Sequence, residues 1–242
     1  MARTEQDVLF SKNCTDRSVK SSHACRQDRR TERPSARAQR PSARERLLVA
    51  ASELFYDEGV HTVGVDRITE HAGVAKATLY TLFGSKDGLV RAYLQDRHDR
   101  TRDRMTQELA ARFGTPRERL LGVFEVQGLS FTEPGFRGCA FVGANAEASP
   151  GSGIEEVTED YRSWLRSLFL DLARQAGAAD PDRLAQRLVL LYDGAGISAW
   201  MDHDASTAQA ARAIAEALVE AAIPSEAAIP PEAIIPAAAT GR

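Results

Sequence analysis

Glycines at positions 73 and 84 divide the stretch Val65–Leu89 into short helical pieces, and this punctuation constrains the fold more than any other feature of the chain. Val65, Ile68 and Ala72 recur at helical spacing and give a helix over about 65–72 one inner face. Gly73 supplies the positive φ that a tight helix–helix turn requires. The next piece, Lys76–Phe83, is expected to anchor inward through Leu79, Leu82 and Phe83. Lys76, Ala77, Tyr80 and Thr81 then share its outward face, because positions i, i+1, i+4 and i+5 cluster on a helix. Ser85, directly after Gly84, is a good N-cap for a long helix beginning at Lys86. The layout predicts a helix-turn-helix whose second helix, 76–83, enters a major groove.

The pattern stays helical on both sides. Leu47, Ala50, Ala51, Leu54 and Phe55 form the stripe of a preceding helix, started at Pro41-Ser42 and closed by a left-handed cap at Gly59. The helix capped by Ser85 runs to about Phe113. Further helices are expected over about 116–131, 139–148, 154–176, 181–201 and 206–222. The third of these carries the stripe Val157, Tyr161, Trp164, Leu165, Leu168 and Leu172, and the fourth carries Leu184, Leu188, Leu191, Ala195 and Ser198. Asp180-Pro181 is an N-cap followed by an N1 proline, and Ser206 is expected to cap the last helix. No segment alternates with the period of a strand, so the fold class is all-α. The organisation read from this pattern is a disordered basic arm (1–40), a three-helix DNA-binding domain (41–94), a helical body (95–222) and a flexible Pro/Ala tail (223–242).

Charge is unevenly spread along the 242 residues. Residues 1–40 carry 10 basic and 5 acidic side chains, 41–94 carry 6 and 7, and 95–242 carry 15 and 22. A basic arm ahead of an acidic body suits contact with a polyanion, with Arg33, Arg37, Arg40 and Arg44 nearest the head. Cys14, Cys25 and Cys139 are too few and too scattered for a disulfide framework or a zinc site, which fits a reduced, cytoplasmic setting. No apolar run is long enough to span a bilayer, and no charged N-terminal segment leads into the apolar core of a secretory signal. Neither a catalytic triad spacing, a phosphate-binding glycine loop nor a metal cluster occurs, so no cofactor, no metal and no enzymatic activity are expected.

The residues of the head resemble those of the tetracycline-repressor (TetR/AcrR-type) transcriptional regulators. The resemblance rests on Gly73-Val74, Lys76, Thr78-Leu79-Tyr80, Phe83, Ser85-Lys86 and Leu89, preceded by Ala51, Leu54-Phe55 and Gly59. It implies that Thr78, Tyr80 and Lys86 contact phosphates and that Lys76, Ala77 and Thr81 face base edges. Three positions depart from the family's pattern. Leu82 stands where a phosphate-touching histidine is usual, and Gly64 and Ala75 replace the usual Ser/Thr caps. Alanine in place of a serine cap weakens a helix start by about 0.5–2 kcal/mol.

For the remainder, the resemblance implies a body that holds a small-molecule effector and pairs two copies of the chain. Residues 137–149 look like a stretch that builds the family's ligand pocket. Phe124, Cys139, Phe141, Asn145, Glu147 and Trp164 are the candidate ligand contacts. Cys139 has no basic neighbour beyond Arg137 and reads as an apolar residue rather than a redox sensor. Gly194, Ala195, Gly196, Ser198 and Ala199 would let the helices of 181–222 approach their two-fold mates. The expected protein is a homodimeric repressor of a palindromic double-stranded DNA operator, released by a small, largely apolar effector. A ligand-blind regulator or an activator of the same fold is the alternative, and a helical enzyme a distant third.

Overall fold

The computed structural model describes residues 41–149 and 151–223. The basic arm, Pro150 and the tail after Ile223 lie outside the described residues, and so do the expectations that concern them. The described residues form α1 (Ala43–Glu58), α2 (Val65–Ala72), α3 (Lys76–Phe83), α4 (Lys86–Arg112), α5 (Pro116–Phe131), α6 (Ala140–Ala146), α7 (Gly153–Gln175), α8 (Pro181–Asp202) and α9 (Thr207–Ala222). No strand occurs among them.

Local chemistry explains most boundaries. Ser42 accepts from the backbone N–H of Glu45 while the Glu45 carboxylate accepts from Ser42 N–H, a reciprocal cap for α1. Thr115 and Glu118 repeat the device at α5, behind Pro116 at the first helical position. Ser85 and Asp180 cap α4 and α8 through the N–H groups of Gly88 and Arg183. Gly64 and Ala75 supply no side-chain cap to α2 and α3. Gly73, at φ 61 and ψ 44, makes the left-handed turn between these two helices.

Two caps differ from expectation. Gly59 has φ 86 but ψ 155, so the chain leaves α1 extended rather than in a left-handed helical turn. Ser206 does not cap α9 with its side chain: its N–H and its hydroxyl both donate to the Asp204 carboxylate. That turn follows His203, whose φ of 53 ends α8.

The buried apolar residues fall into two clusters. One fills the body with α5 at its centre: Leu120, Val123, Phe124 and Val126 are buried on successive turns, and α5 packs on α4, α7, α8 and α9. A helix apolar on nearly every side is the expected central element of such a bundle. The other joins α1–α3 and the start of α4 to Phe141, Ala144, Ile154, Val157 and Tyr161. The head therefore shares its core with α6 and the first half of α7. The boundary read at 94/95 falls inside the continuous helix α4.

The small residues of α8 divide by side. Ala195, Gly196 and Ala199 are buried within the chain, whereas Gly194 is exposed. Leu190, Ile197, Trp200 and Met201 of α8 and Ile214 of α9 are exposed large apolar side chains.

Candidate nucleic-acid interface and effector cavity

In the head, Leu79 is fully buried and pins α3, and Phe83 is partly buried beneath the Arg44 guanidinium at 5.5 Å. Leu82, expected to anchor inward, instead stands 41% exposed. Two turns of helix leave room for only one inward column, and Leu79 and Phe83, four residues apart, occupy it. Arg46 ties α1 to the turn by donating from Nε to the Ala72 carbonyl at 3.1 Å. Arg67–Glu58 at 2.6 Å and His71–Glu53 at 2.7 Å add links between α2 and α1.

Lys76, Ala77, Tyr80 and Thr81 are exposed together on α3, with Thr78 and Lys86 half-buried beside them. The Thr81 hydroxyl donates to the Ala77 carbonyl at 2.9 Å, leaving its lone pairs for a partner. Lys76 Nζ lies 2.8 Å from an Asp66 oxygen, and this hydrogen bond raises the ammonium's pKa above its ordinary value. A base or phosphate must therefore compete with Asp66 for it.

The other basic groups of the head are also engaged. Arg67 and Arg91 pair with Glu58 and Glu156, Arg46 donates to Pro41 and Ala72 carbonyls, and Arg44 stacks on Phe83. Lys86 has no ion pair among the described residues. It opens α4, where free backbone N–H groups and the helix dipole favour an anion.

A cavity of ≈ 470 Å³ lies where α4, α5 and α8 meet the loop before α6, within the usual range for small-molecule sites. Of the six expected contacts, Cys139 and Phe141 line it. Phe124 is buried in the body core, touching Phe169 and Tyr192 instead. Trp164 packs on His98 and Tyr161 outside the wall. Asn145 is exposed. Glu147 faces the other way: its carboxylate accepts from the His61 backbone N–H at 2.8 Å, bracing the α1–α2 loop against α6.

Several wall residues carried no periodic signal. Tyr56 donates to the Gly138 carbonyl at 2.9 Å and accepts from Arg137 N–H at 2.9 Å, while the Arg97 guanidinium stacks over its ring at 4.0 Å. Phe141 and Tyr161 stack at 4.0 Å with planes 2° apart. Burial pushes up the phenols of Tyr161 and Tyr192, keeping them neutral, and does the same to the Cys139 thiol. Several charges in the wall are paired, Arg104–Glu133 at 2.6 Å, Asp57–Arg137 at 3.4 Å, Asp193–Arg162 at 2.6 Å and Glu53–His71 at 2.7 Å, whereas Arg97 has no carboxylate partner among the described residues and stacks on Tyr56 and Tyr93. No group of three or more metal-ligating side chains occurs among the described residues. None of the described helices is long and apolar enough to cross a membrane.

Comparison with known proteins agrees with this geometry. Residues 47–93 match the family described as bacterial regulatory proteins, tetR family, and residues 151–224 match the BetI-type transcriptional repressor C-terminal family. The crystal structure of a TetR-family transcriptional regulator from Streptomyces coelicolor is 32% identical, with a TM-score of 0.70, over 74% of this chain and 95% of that one. The HTH-type transcriptional regulator BetI of Rhizobium meliloti is 29% identical over 152 residues, 61% of this chain and 73% of that protein. The HTH-type transcriptional activator FasR of Mycolicibacterium smegmatis is 52% identical over 50 residues, a match spanning only 23% of its length. The head, the helical body and these likenesses lead to one assignment: the chain belongs to the TetR family of transcriptional regulators.

Proposed function

We propose that this regulator is a ligand-responsive repressor that binds a palindromic operator as a homodimer. The observation that carries the reading is the shared core. Phe141 and Tyr161 belong both to the cavity wall and to the apolar cluster that holds α1–α3, so a molecule seated against them acts on the head directly. Tyr56 extends the same connection, since its side chain sits on α1 and in the cavity wall. An effector releases DNA by binding the non-operator arrangement of the heads more tightly than the operator-bound one. Met105, Val126, Phe131, Phe136 and Ile197 in the wall suit a molecule with substantial apolar surface.

Within the interface, Thr78, Tyr80 and Lys86 hold phosphates, while Lys76, Ala77 and Thr81 meet base edges. Two heads then read half-sites about 34–36 Å apart, or a multiple of that spacing. Electrophoretic shift with the DNA upstream of the gene tests the reading. Two chains are expected per inverted repeat, and one chain per site would overturn it. A second reading, activation rather than repression, has support from the activator named among the relatives of the head. Transcription in vitro from the same DNA distinguishes the two.

A further inference from the structure

Arg97 is the charged residue of the cavity wall that has no carboxylate partner among the described residues. The wall acids Glu53, Asp57, Glu133 and Asp193 are paired with His71, Arg137, Arg104 and Arg162. Arg97 instead lays its guanidinium over the Tyr56 ring at 4.0 Å and over the Tyr93 ring at 5.4 Å. Stacking uses the flat face of the group and leaves its edge N–H donors for a planar acceptor. Arg97 is half-buried and borders the cavity, and a guanidinium cannot relieve its charge by losing a proton. A cation withdrawn from water without a counter-ion favours an anion seated beside it.

The neighbouring wall defines the rest of the occupant. Tyr56, Gln127 and Ser130 already spend their donors on the carbonyls of Gly138, Tyr192 and Gln127. Along α4, Arg97, Thr101 and Met105 all belong to the wall. Positions i, i+4 and i+8 share one side of a helix, so α4 offers the cavity a cation, then a hydroxyl, then an apolar side chain. We propose that the cavity takes an amphipathic organic acid. Its carboxylate accepts from the Arg97 guanidinium, with the Thr101 hydroxyl beside it, and its apolar body lies against Met105, Val126, Phe131, Phe136 and Ile197. This rests on the reading of the cavity as the effector site. It makes Arg97 a specificity-determining residue and disfavours organic cations, which the same guanidinium repels.

The test uses the straight-chain acids from hexanoate to dodecanoate against the alcohols and amines of the same lengths, at neutral pH. Titration calorimetry on the full chain should give each acid about 10- to 100-fold tighter binding than its alcohol, the worth of a hydrogen bond to a charged group. The amines should bind more weakly than the alcohols. In Arg97→Gln the preference for acids should vanish while the alcohols still bind, and Arg97→Met serves the same purpose if the glutamine variant fails to fold. A residue that only braced Tyr56 would weaken all three series alike, and that result overturns the proposal. So do equal binding of acids and alcohols by the parent chain, binding by none of the series, and a preference that survives in the variants. Release of upstream DNA is measured alongside. Acid-selective binding without release keeps the anion site and overturns the effector reading; release by alcohols as readily as by acids does the reverse.

Discussion

Single residues decide how closely the recognition helix meets the long helix behind it. At Gly88 in α4, a Cβ would lie 2.0 Å from the Phe83 carbonyl oxygen. No L side chain fits there unless the backbone moves. Gly88→Ala should lower stability by about 1–3 kcal/mol, the usual range for overpacking, and displace α3. A urea unfolding midpoint unchanged from the parent would refute this. Nothing in the spacing of the sequence marks Gly88, whereas Ser85, three residues earlier, is readable as a cap. The difference is physical: a cap is a local bond between near neighbours, while the demand on Gly88 arises from the path of the preceding helix. Buried His98 is similar. Both its ring nitrogens lack partners among the described residues, and burial lowers its pKa, features visible only once Tyr161 and Trp164 pack around it.

At the scale of elements, α3 and the start of α4 present two kinds of group, and substitutions should separate them. Lys86→Ala removes a charge with no competing ion pair among the described residues, so DNA affinity should fall across all sequences and its salt dependence should flatten by about one counterion. Thr81→Ala removes a proposed base-edge contact and leaves the proposed phosphate contacts in place, so it should alter operator preference more than general affinity. Fluorescence anisotropy on matched and mismatched operators across a salt series reads both effects. Two variants indistinguishable from the parent would mean that this face does not read DNA. The outward set Lys76, Ala77, Tyr80 and Thr81 was legible because eight residues between glycines can form only one short helix. The inward set was less so, and Leu82 shows why: over two turns, apolar spacing admits more than one phase. For the cavity, resemblance pointed to 137–149, but α6 is too short to aim every residue inward. Phe141 faces the cavity, while Asn145 one turn on is exposed and Glu147 turns to the α1–α2 loop.

For the whole molecule, α8 and α9 present an apolar surface that is exposed among the described residues. Leu190, 74% exposed, and Met201, 67% exposed, flank Ile197 and the exposed Gly194 at one-turn steps along α8. On α9, Ile214 stands among the exposed alanines 210, 213 and 217. Such a patch on a charged surface is the expected core of a two-fold interface. The double variant Leu190→Glu, Ile197→Glu should sediment at the mass of one chain at micromolar concentration and lose most operator affinity. Sedimentation of parent and variant at the same mass would reject α8 as the seam.

The amino-acid sequence by itself determined the helices, their main breaks and the outward face of the recognition helix. Those properties depend on spacing, caps and glycine turns within a few residues of one another. It also carried enough of the family's pattern to foresee the head. Tertiary structure alone decided that the head shares its core with α6 and α7, that Tyr56, Arg97 and Gln127 join Cys139 and Phe141 around one cavity, and that Ala195, Gly196 and Ala199 of α8 are buried while Gly194 is exposed. Each of these depends on segments brought together from distant parts of the chain. Periodicity identifies which side of a helix is buried, but the neighbour that covers it is chosen only when the helices pack.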